Sequence, residues 1–485
     1  MTVDALRLRS AQRERATTEA WWVYPAIPML AAAIAFAWTL HGELQRMYGL
    51  TSDAWDLAYD QQVIWGITQG DWFYSSFARA NFLGIHLELI FVVIAAIEKL
   101  WPSPTVLLIF SSAGLAAAGP AAYLFFRAIL PSDRRESPWL AVALSAPVPF
   151  WAAIQESARD FFHPENMALP FALLAAWAGV RGRRGLMWTF CVLDLTCKED
   201  QVYTVGVIAL LMSAYGAPQV KKHWRFILYL AGGWFLIGTG IVQQHFRNYG
   251  YTDFVYYRWL VGLNPKLPVS PLAIAEALTR PEALMIVAAI IASMFALPLL
   301  APRWLLLVIP PYVANVLSEH IPQNILNLHY VMLLMLPLMV AGGVGARRIL
   351  ERVAIKPELA LVAALPALIL GWGTGGLPPA LLAWNAVYTK TNAVVELRTA
   401  ASVIPADAPV NADAGLCVWL ANRHTINDFP DMLDGGAYVV VDQDYYLGNN
   451  TNRAKRQAAA DALATGGRRL IYDDGRFQVW SPVGD

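Results

Sequence analysis

Residues 51–70, TSDAWDLAYDQQVIWGITQG, form a polar island rich in acids and aromatics just after the first long apolar run of the chain. Asp53, Asp56 and Asp60 recur at spacings of three and four, so a helix over this stretch carries all three on one face. Thr51 or Ser52 is the expected cap, Asp53 suits the positive N-terminal end, and Gly70 is a natural stop. Aligned acids beside a membrane, with Trp55, Tyr59 and Trp65 between them, suit a site that holds a polar substrate near lipid. The plainer alternative is a solvated amphipathic helix lying on the bilayer.

The surroundings of that island set the class of protein. The chain has 485 residues, 57% hydrophobic and 15% charged, which is far more apolar than a soluble enzyme of this length and fits a polytopic membrane protein. A formal net charge of zero, with no basic stripe, argues against nucleic acid as a partner. Cys191 and Cys197 lie in one apolar stretch and Cys417 is far downstream, so neither a disulfide framework nor a thiolate metal site is indicated.

Upstream of the island, Arg7, Arg9, Arg13 and Arg15 precede the apolar run 21–40. This reads as an uncleaved anchor with a cytoplasmic N-terminus; its small residues also fit a cleaved signal peptide. Downstream, apolar segments follow at 105–130, 138–154, 167–180, 186–197, 201–215, 226–242, 283–301, 304–317, 328–345 and 358–377, about 11 spans in all. If each crosses, Arg134 and Arg135, Arg181, Arg183 and Arg184, Lys221, Lys222 and Arg225, Arg303, and Arg347, Arg348, Arg352 and Lys356 all fall on the cytoplasmic side. The C-terminus is then extracytoplasmic. Counting 86–100 as a span would break this alternation, so residues 41–104 are expected to be one external loop with two juxtamembrane helices.

Residues 1–377 thus form the expected transmembrane module. The stretch 385–485 changes character and reads as a small soluble extracytoplasmic α/β unit, with strands at 438–442, 469–472 and 477–480 and a helix at 453–464. No internal repeat of the kind found in inverted-repeat transporters is visible. The external loop 243–282 is long enough to cover a cavity.

On this topology several polar clusters converge on the external face: the acids of 51–70 with Arg79, Asn81, His86 and Glu88; QESARDFFHPEN at 155–166; Lys198, Glu199 and Asp200; and SEHIPQNILNLHY at 318–330. Carboxylates, imidazoles and a few fixed cations suit sugar transfer from a lipid-linked phosphate donor. A carboxylate takes the acceptor hydroxyl proton and a Lys or Arg neutralises the leaving phosphate. Asp56 is the expected base, with Asp60, His86, His163 and Glu165 shaping the catalytic site. Asp53, Arg159, Lys198, Glu199, Arg247, Arg258, His329 and Tyr330 are expected to bind substrate. The histidines equally suit helix bridging, and Lys198 with Glu199 a local ion pair. No tight ligand motif is present, so no cofactor is named, although Asp56, His86, His163, Glu165 and Glu199 suit a divalent metal.

WDLAYDQQVIW at 55–65, the later His86, FHPEN at 162–166, LTCKED at 195–200, LHY at 328–330 and VWLANRHTINDFP at 418–430 resemble the prokaryotic membrane family known as domain of unknown function 2079. That family is grouped with the GT-C integral membrane glycosyltransferases. The resemblance implies a bundle of about 11 spans, a first external loop with an essential acid, and a polyprenyl-phosphate sugar donor. It matches Asp56, with Asp60 beside it, to the first-loop acid, and places His163 and Glu165 in the second external loop. The DxD that metal-using members carry there is absent.

The expectation is therefore a mainly α, GT-C-like glycosyltransferase of the plasma membrane. It would move a sugar from a polyprenyl-phosphate donor to a cell-envelope glycan, lipid or protein acceptor. The rival readings are a non-catalytic envelope assembly or binding protein that uses the tail, and a lipid or solute transporter.

Overall fold

The computed structural model describes residues 22–247, 255–264, 267–353, 393–444 and 450–484. Within them the chain is mainly helical. Its first helix, α1, runs Val23–Tyr48, followed by a π-helical turn Ala54–Ala58 that leads into α2, Tyr59–Gln69. The loop then forms a two-stranded antiparallel ribbon of β1 (Tyr74–Ser75) and β2 (Ala80–Asn81), followed by α3, Phe91–Glu98. The bundle continues through α4 (Thr105–Ile129), α5 (Glu165–Val180), α6 (Arg184–Cys197) and α7 (Met332–Arg352).

Among the described residues five helices are long and apolar enough to cross a membrane: Val23–Tyr48, Thr105–Ile129, Ser137–Arg159, Trp224–Phe246 and Ile321–Arg352. The chain is a multi-pass membrane protein. Helices also occupy the other expected apolar segments as far as residue 345, several of them short or broken. The expected span at 358–377 lies outside the described residues. Breaks fall where proline or a π turn interrupts the hydrogen-bond ladder, as at Val148–Phe150 and Gly238–Val242.

Two expectations need correction. α1 does not stop near residue 40 but extends eight residues into the segment read as loop, to Tyr48. Polar Glu43 is accommodated there because Ser111 Oγ and Ser112 Oγ of α4 donate to its carboxylate at 3.0 and 2.6 Å. The cap of the acidic helix is neither Thr51 nor Ser52. Asp53, in extended conformation, accepts the Trp55 N–H at 2.9 Å. As a cap it lies before the helix, so it leaves the face that carries Asp56 and Asp60. Gly70, at φ 98°, ends α2 as expected.

α4 and α5 cross at backbone contact, since a Cβ on Gly114 would lie 2.4 Å from the Asn166 carbonyl oxygen. One apolar core fills the bundle, including Leu115, Phe125, Leu173 and Leu336. A second joins the first loop to the tail, running from Leu57, Val63 and Phe91 to Leu416, Val440 and Val479.

The tail carries a five-stranded sheet in the order β4-β3-β5-β7-β6. Its strands are β3 (Val410–Asp413), β4 (Ile426–Phe429), β5 (Tyr438–Asp442), β6 (Leu470–Asp473) and β7 (Phe477–Trp480). β3 pairs in parallel with β4 and β5, whereas β7 is antiparallel to β5 and β6. Between β3 and β4 lies α8, Ala414–Leu420, and the helix α9, Asn450–Asp461, precedes β6. Arg456 of α9 fixes the sheet from inside: it donates to the Asp413 carboxylate from Nε and Nη2, at 2.9 and 2.7 Å, and to the Asp442 carbonyl at 2.7 Å.

The tail and the first loop are tied together polar group by polar group. Gln61 of α2 donates to Glu98 and to Asn422, while Gln62 Nε2 reaches Ser76 Oγ and the carbonyls of Arg423 and His424. A Cβ on Gly415 would lie 2.0 Å from the Leu50 carbonyl oxygen, so α8 rests on the chain just past α1 with no room for a side chain.

Candidate functional site

A cavity of about 550 Å³ opens where the first loop meets the bundle. The π turn and α2 supply Trp55, Asp56, Tyr59 and Asp60 to its wall. The β-ribbon and the turn after it supply Phe82, His86 and Glu88. Helix ends of the bundle supply His163, Lys198, His320, His329 and Tyr330, and Tyr256 joins them from the segment Val255–Val261.

The two acids differ in surroundings. Asp60 is buried, and burial together with the neighbouring Asp56 and Glu165 charges pushes its carboxyl well above the ordinary range. His163 and Lys198 oppose this shift without cancelling it, so the neutral form of Asp60, the form able to donate, is favoured. Asp56 is half-buried at the cavity edge. Burial raises it most, Asp160 and Asp53 add to that, and His163 and Lys198 oppose them, leaving it at about 7. A carboxylate poised there exchanges a proton readily at neutral pH.

Opposite these acids Asp160 sits between two imidazoles. His329 Nδ1 lies 2.7 Å from Asp160 Oδ2, His163 Nε2 lies 2.9 Å from the same oxygen, and the two rings stack with centroids 3.8 Å apart. Burial would raise Asp160, but the imidazoles outweigh it and hold the carboxyl well below the usual carboxylate range. Burial would lower His163, yet Asp160 outweighs it and raises the imidazole to about 9. Lys198 pairs with Glu165, both buried, and His329 Nε2 approaches the same Glu165 oxygen at 3.8 Å. Behind the cavity wall Glu199 accepts from the Leu87 N–H at 2.9 Å and meets His86 Nδ1 at 3.1 Å. Burial would raise Glu199, but His86, Lys198 and the Leu87 N–H together bring it down to about 2.

The sequence-selected residues thus separate by position. Asp56, Asp60, His86, His163, Lys198, His329 and Tyr330 line one cavity, with Glu165 and Glu199 directly behind Lys198 and His86. Asp53, Arg159, Arg247 and Arg258 are not among the lining residues. Asp53 is an exposed cap, Arg159 pairs with Glu156 at 2.8 Å, and Arg247 donates to Gln244. Glu88, Tyr256, His320 and Asp160 went unselected. Asp160 carried a readable signal, since it stands three residues before His163 on the same turn.

Asp160, His163 and His329 offer ligand atoms within 4.8 Å of one another. These residues fit a divalent cation, because two imidazole nitrogens and a carboxylate oxygen make an N,N,O set that suits borderline metals. Proton and metal are alternatives at His163 Nε2, because a ligating imidazole is neutral.

An apolar multi-span chain with this acidic first-loop helix has recognisable relatives. The family described as "Predicted membrane protein (DUF2079)" matches residues 46–466. The chain belongs to the DUF2079 family. No curated protein matches this DUF2079 chain. Among solved structures it is similar to ArnT from Cupriavidus metallidurans in the apo state, at 12% identity and a TM-score of 0.46, covering 88% of this chain and 93% of that one. It is also similar to the same protein bound to undecaprenyl phosphate, at 11% identity and a TM-score of 0.49, covering 96% and 99%.

Proposed function

We propose that this DUF2079 protein is a membrane glycosyltransferase that moves a sugar from a polyprenyl-phosphate donor to a cell-envelope acceptor, on the extracytoplasmic face. The observation that carries this reading is the pairing within one cavity of Asp56, poised near neutrality, with the cationic groups Lys198 and His163 across from it. The GT-C grouping of the family supports the same reading.

In this mechanism the acceptor hydroxyl oxygen attacks the anomeric carbon as the bond from that carbon to the phosphate oxygen breaks. Asp56 takes the hydroxyl proton. The electron pair leaves with the phosphate, whose charge Lys198 and His163 meet in a cavity walled partly by aromatic side chains, where such pairing is stronger than in open water. The neutral Asp60 donates a hydrogen bond to the sugar, and Trp55, Tyr59 and Tyr256 offer faces for a sugar ring or a polyprenyl chain. A divalent cation held by Asp160, His163 and His329 would take the place of the His163 proton and supply Lewis-acid stabilisation of the phosphate instead. Attack opposite the leaving group inverts the anomeric centre.

The test is turnover by full-length protein in lipid with labelled polyprenyl-phosphate sugars and envelope extracts, comparing wild type with Asp56→Asn. Transfer, or slow donor hydrolysis, that disappears in the variant is the expected result. Equal turnover by Asp56→Asn would remove the base assignment, and donor binding without turnover would favour transport or binding.

A further inference from the structure

A second cavity, of about 470 Å³, lies at the far end of the bundle and belongs to no part of the site above. Arg127 in the last turn of α4, Arg134 in the following turn, Arg181 just past α5 and Arg347 in α7 all line it. Two carboxylates line it as well, Asp133 and Glu351, and Glu351 is engaged by Arg347 Nε at 2.8 Å.

Part of this arrangement is structural. Arg181 Nη2 donates to the Arg127 carbonyl at 2.8 Å and Arg347 Nη1 to the Ile129 carbonyl at 3.2 Å, so both satisfy open carbonyls at the C-terminal end of α4. Carbonyls cap but do not neutralise, and the positive charge remains. Nη1 of Arg127 is buried with no hydrogen-bond partner, and among the described residues neither Arg127 nor Arg134 forms an ion pair. A buried guanidinium nitrogen left open beside three other arginines is costly unless an anion meets it.

The position of the pocket narrows the anion. Ser111 of α4 is hydrogen-bonded to Phe161 and Asn166, which flank the cavity residue His163 in the chain and so tie this point of α4 to the first cavity. Arg127 lies about 24 Å further along the same helix at 1.5 Å per residue. That is close to the thickness of a bilayer hydrocarbon core, so the two cavities stand at opposite interfaces. We propose that the arginine pocket binds the phosphate of an anionic phospholipid headgroup in the leaflet opposite the first cavity. Arginine forks match phosphate oxygens in pairs, and basic pockets between spans are suited to such headgroups.

A free phosphate shares this chemistry, so the experiment separates the two sources. Full-length protein is reconstituted in phosphatidylcholine containing phosphatidylglycerol, and the lipid retained after detergent extraction is counted by native mass spectrometry, with and without inorganic phosphate. Arg134→Gln and Arg181→Gln are each expected to lower phosphatidylglycerol retention about fivefold. Arg135→Gln, the adjacent arginine outside the lining, serves as control and is expected to change nothing. Retention that inorganic phosphate abolishes in wild type would reject the lipid as the source. Equal retention by all variants, or equal loss in Arg135→Gln, would overturn the site.

Discussion

Gln61, the residue after the cavity acid Asp60, donates to Asn422 of the tail at 2.7 Å, across 361 positions of sequence. The same amide nitrogen donates to Glu98 at 2.6 Å, so one buried side chain links α2, α3 and the tail. Asn422→Ala removes one acceptor from this junction. The variant is expected to lose about 1–3 kcal/mol of tail docking, read as faster hydrogen exchange in α2 and α8 together. Faster exchange in the tail alone would mean that the tail does not hold the acidic helix.

Asp56 fixes the pH dependence. Its carboxyl is raised to about 7, so it is protonated and inert as a base below that value and active above it. Turnover is therefore expected to climb as pH rises through about 7. The charges around it are Asp53, Asp160, His163 and Lys198, of which Asp53 is exposed and contributes upward. Asp53→Asn keeps a capping side chain but removes that charge, and the midpoint is expected to move down. A pH profile of donor turnover for wild type and variant decides it, and an unmoved or raised midpoint would exclude Asp56 as the titrating group.

Lys198 and Glu165 form a buried pair, and each is far more costly alone than together. Lys198→Met is expected to lower stability by about 3–5 kcal/mol, because Glu165 is left without its countercharge. Lys198→Met with Glu165→Gln should recover a large part of that loss. Thermal unfolding of the three proteins in one detergent measures both steps, and a double variant no more stable than the single would show that the pair's charge is not what matters.

Gly415 has no space for a side chain against Leu50. Gly415→Ala is expected to cost about 1–3 kcal/mol through overpacking, with the protease sensitivity of the tail rising. An alanine variant as resistant as wild type would mean that α8 shifts freely.

The helical spacing of Asp56 and Asp60 was sufficient to put both on one wall of a cavity. It could not show that Asp53 leaves that face, because the residue that caps a helix is decided by local extended geometry rather than by periodicity. The extension of α1 to Tyr48 was equally hidden, since what accommodates Glu43 is a serine pair 68 and 69 positions away. β3 and β4, with sequences VNAD and INDF, contain residues depleted in strands. They exist because β3 pairs on both sides and Arg456 meets Asp413, neither of which a window of sequence contains. The short polar turns were readable as a converging group, whereas the separation of Lys198 from Arg247 and Arg258 depends on where each helix ends.

The π turn Ala54–Ala58 holds one more residue per turn than the α-helix it feeds. It therefore acts as a phase setter for everything after it. Rewinding the same five residues as an ordinary helix would swing Asp60 and Gln61 by about 100° around the axis, whereas deleting one residue as the turn relaxes would leave their phase nearly unchanged. Length and winding in this five-residue turn are thus tied together: a family member one residue shorter keeps the cavity wall and the seat of the tail in phase by winding the turn as an ordinary helix, and one of equal length keeps them only by retaining the π turn.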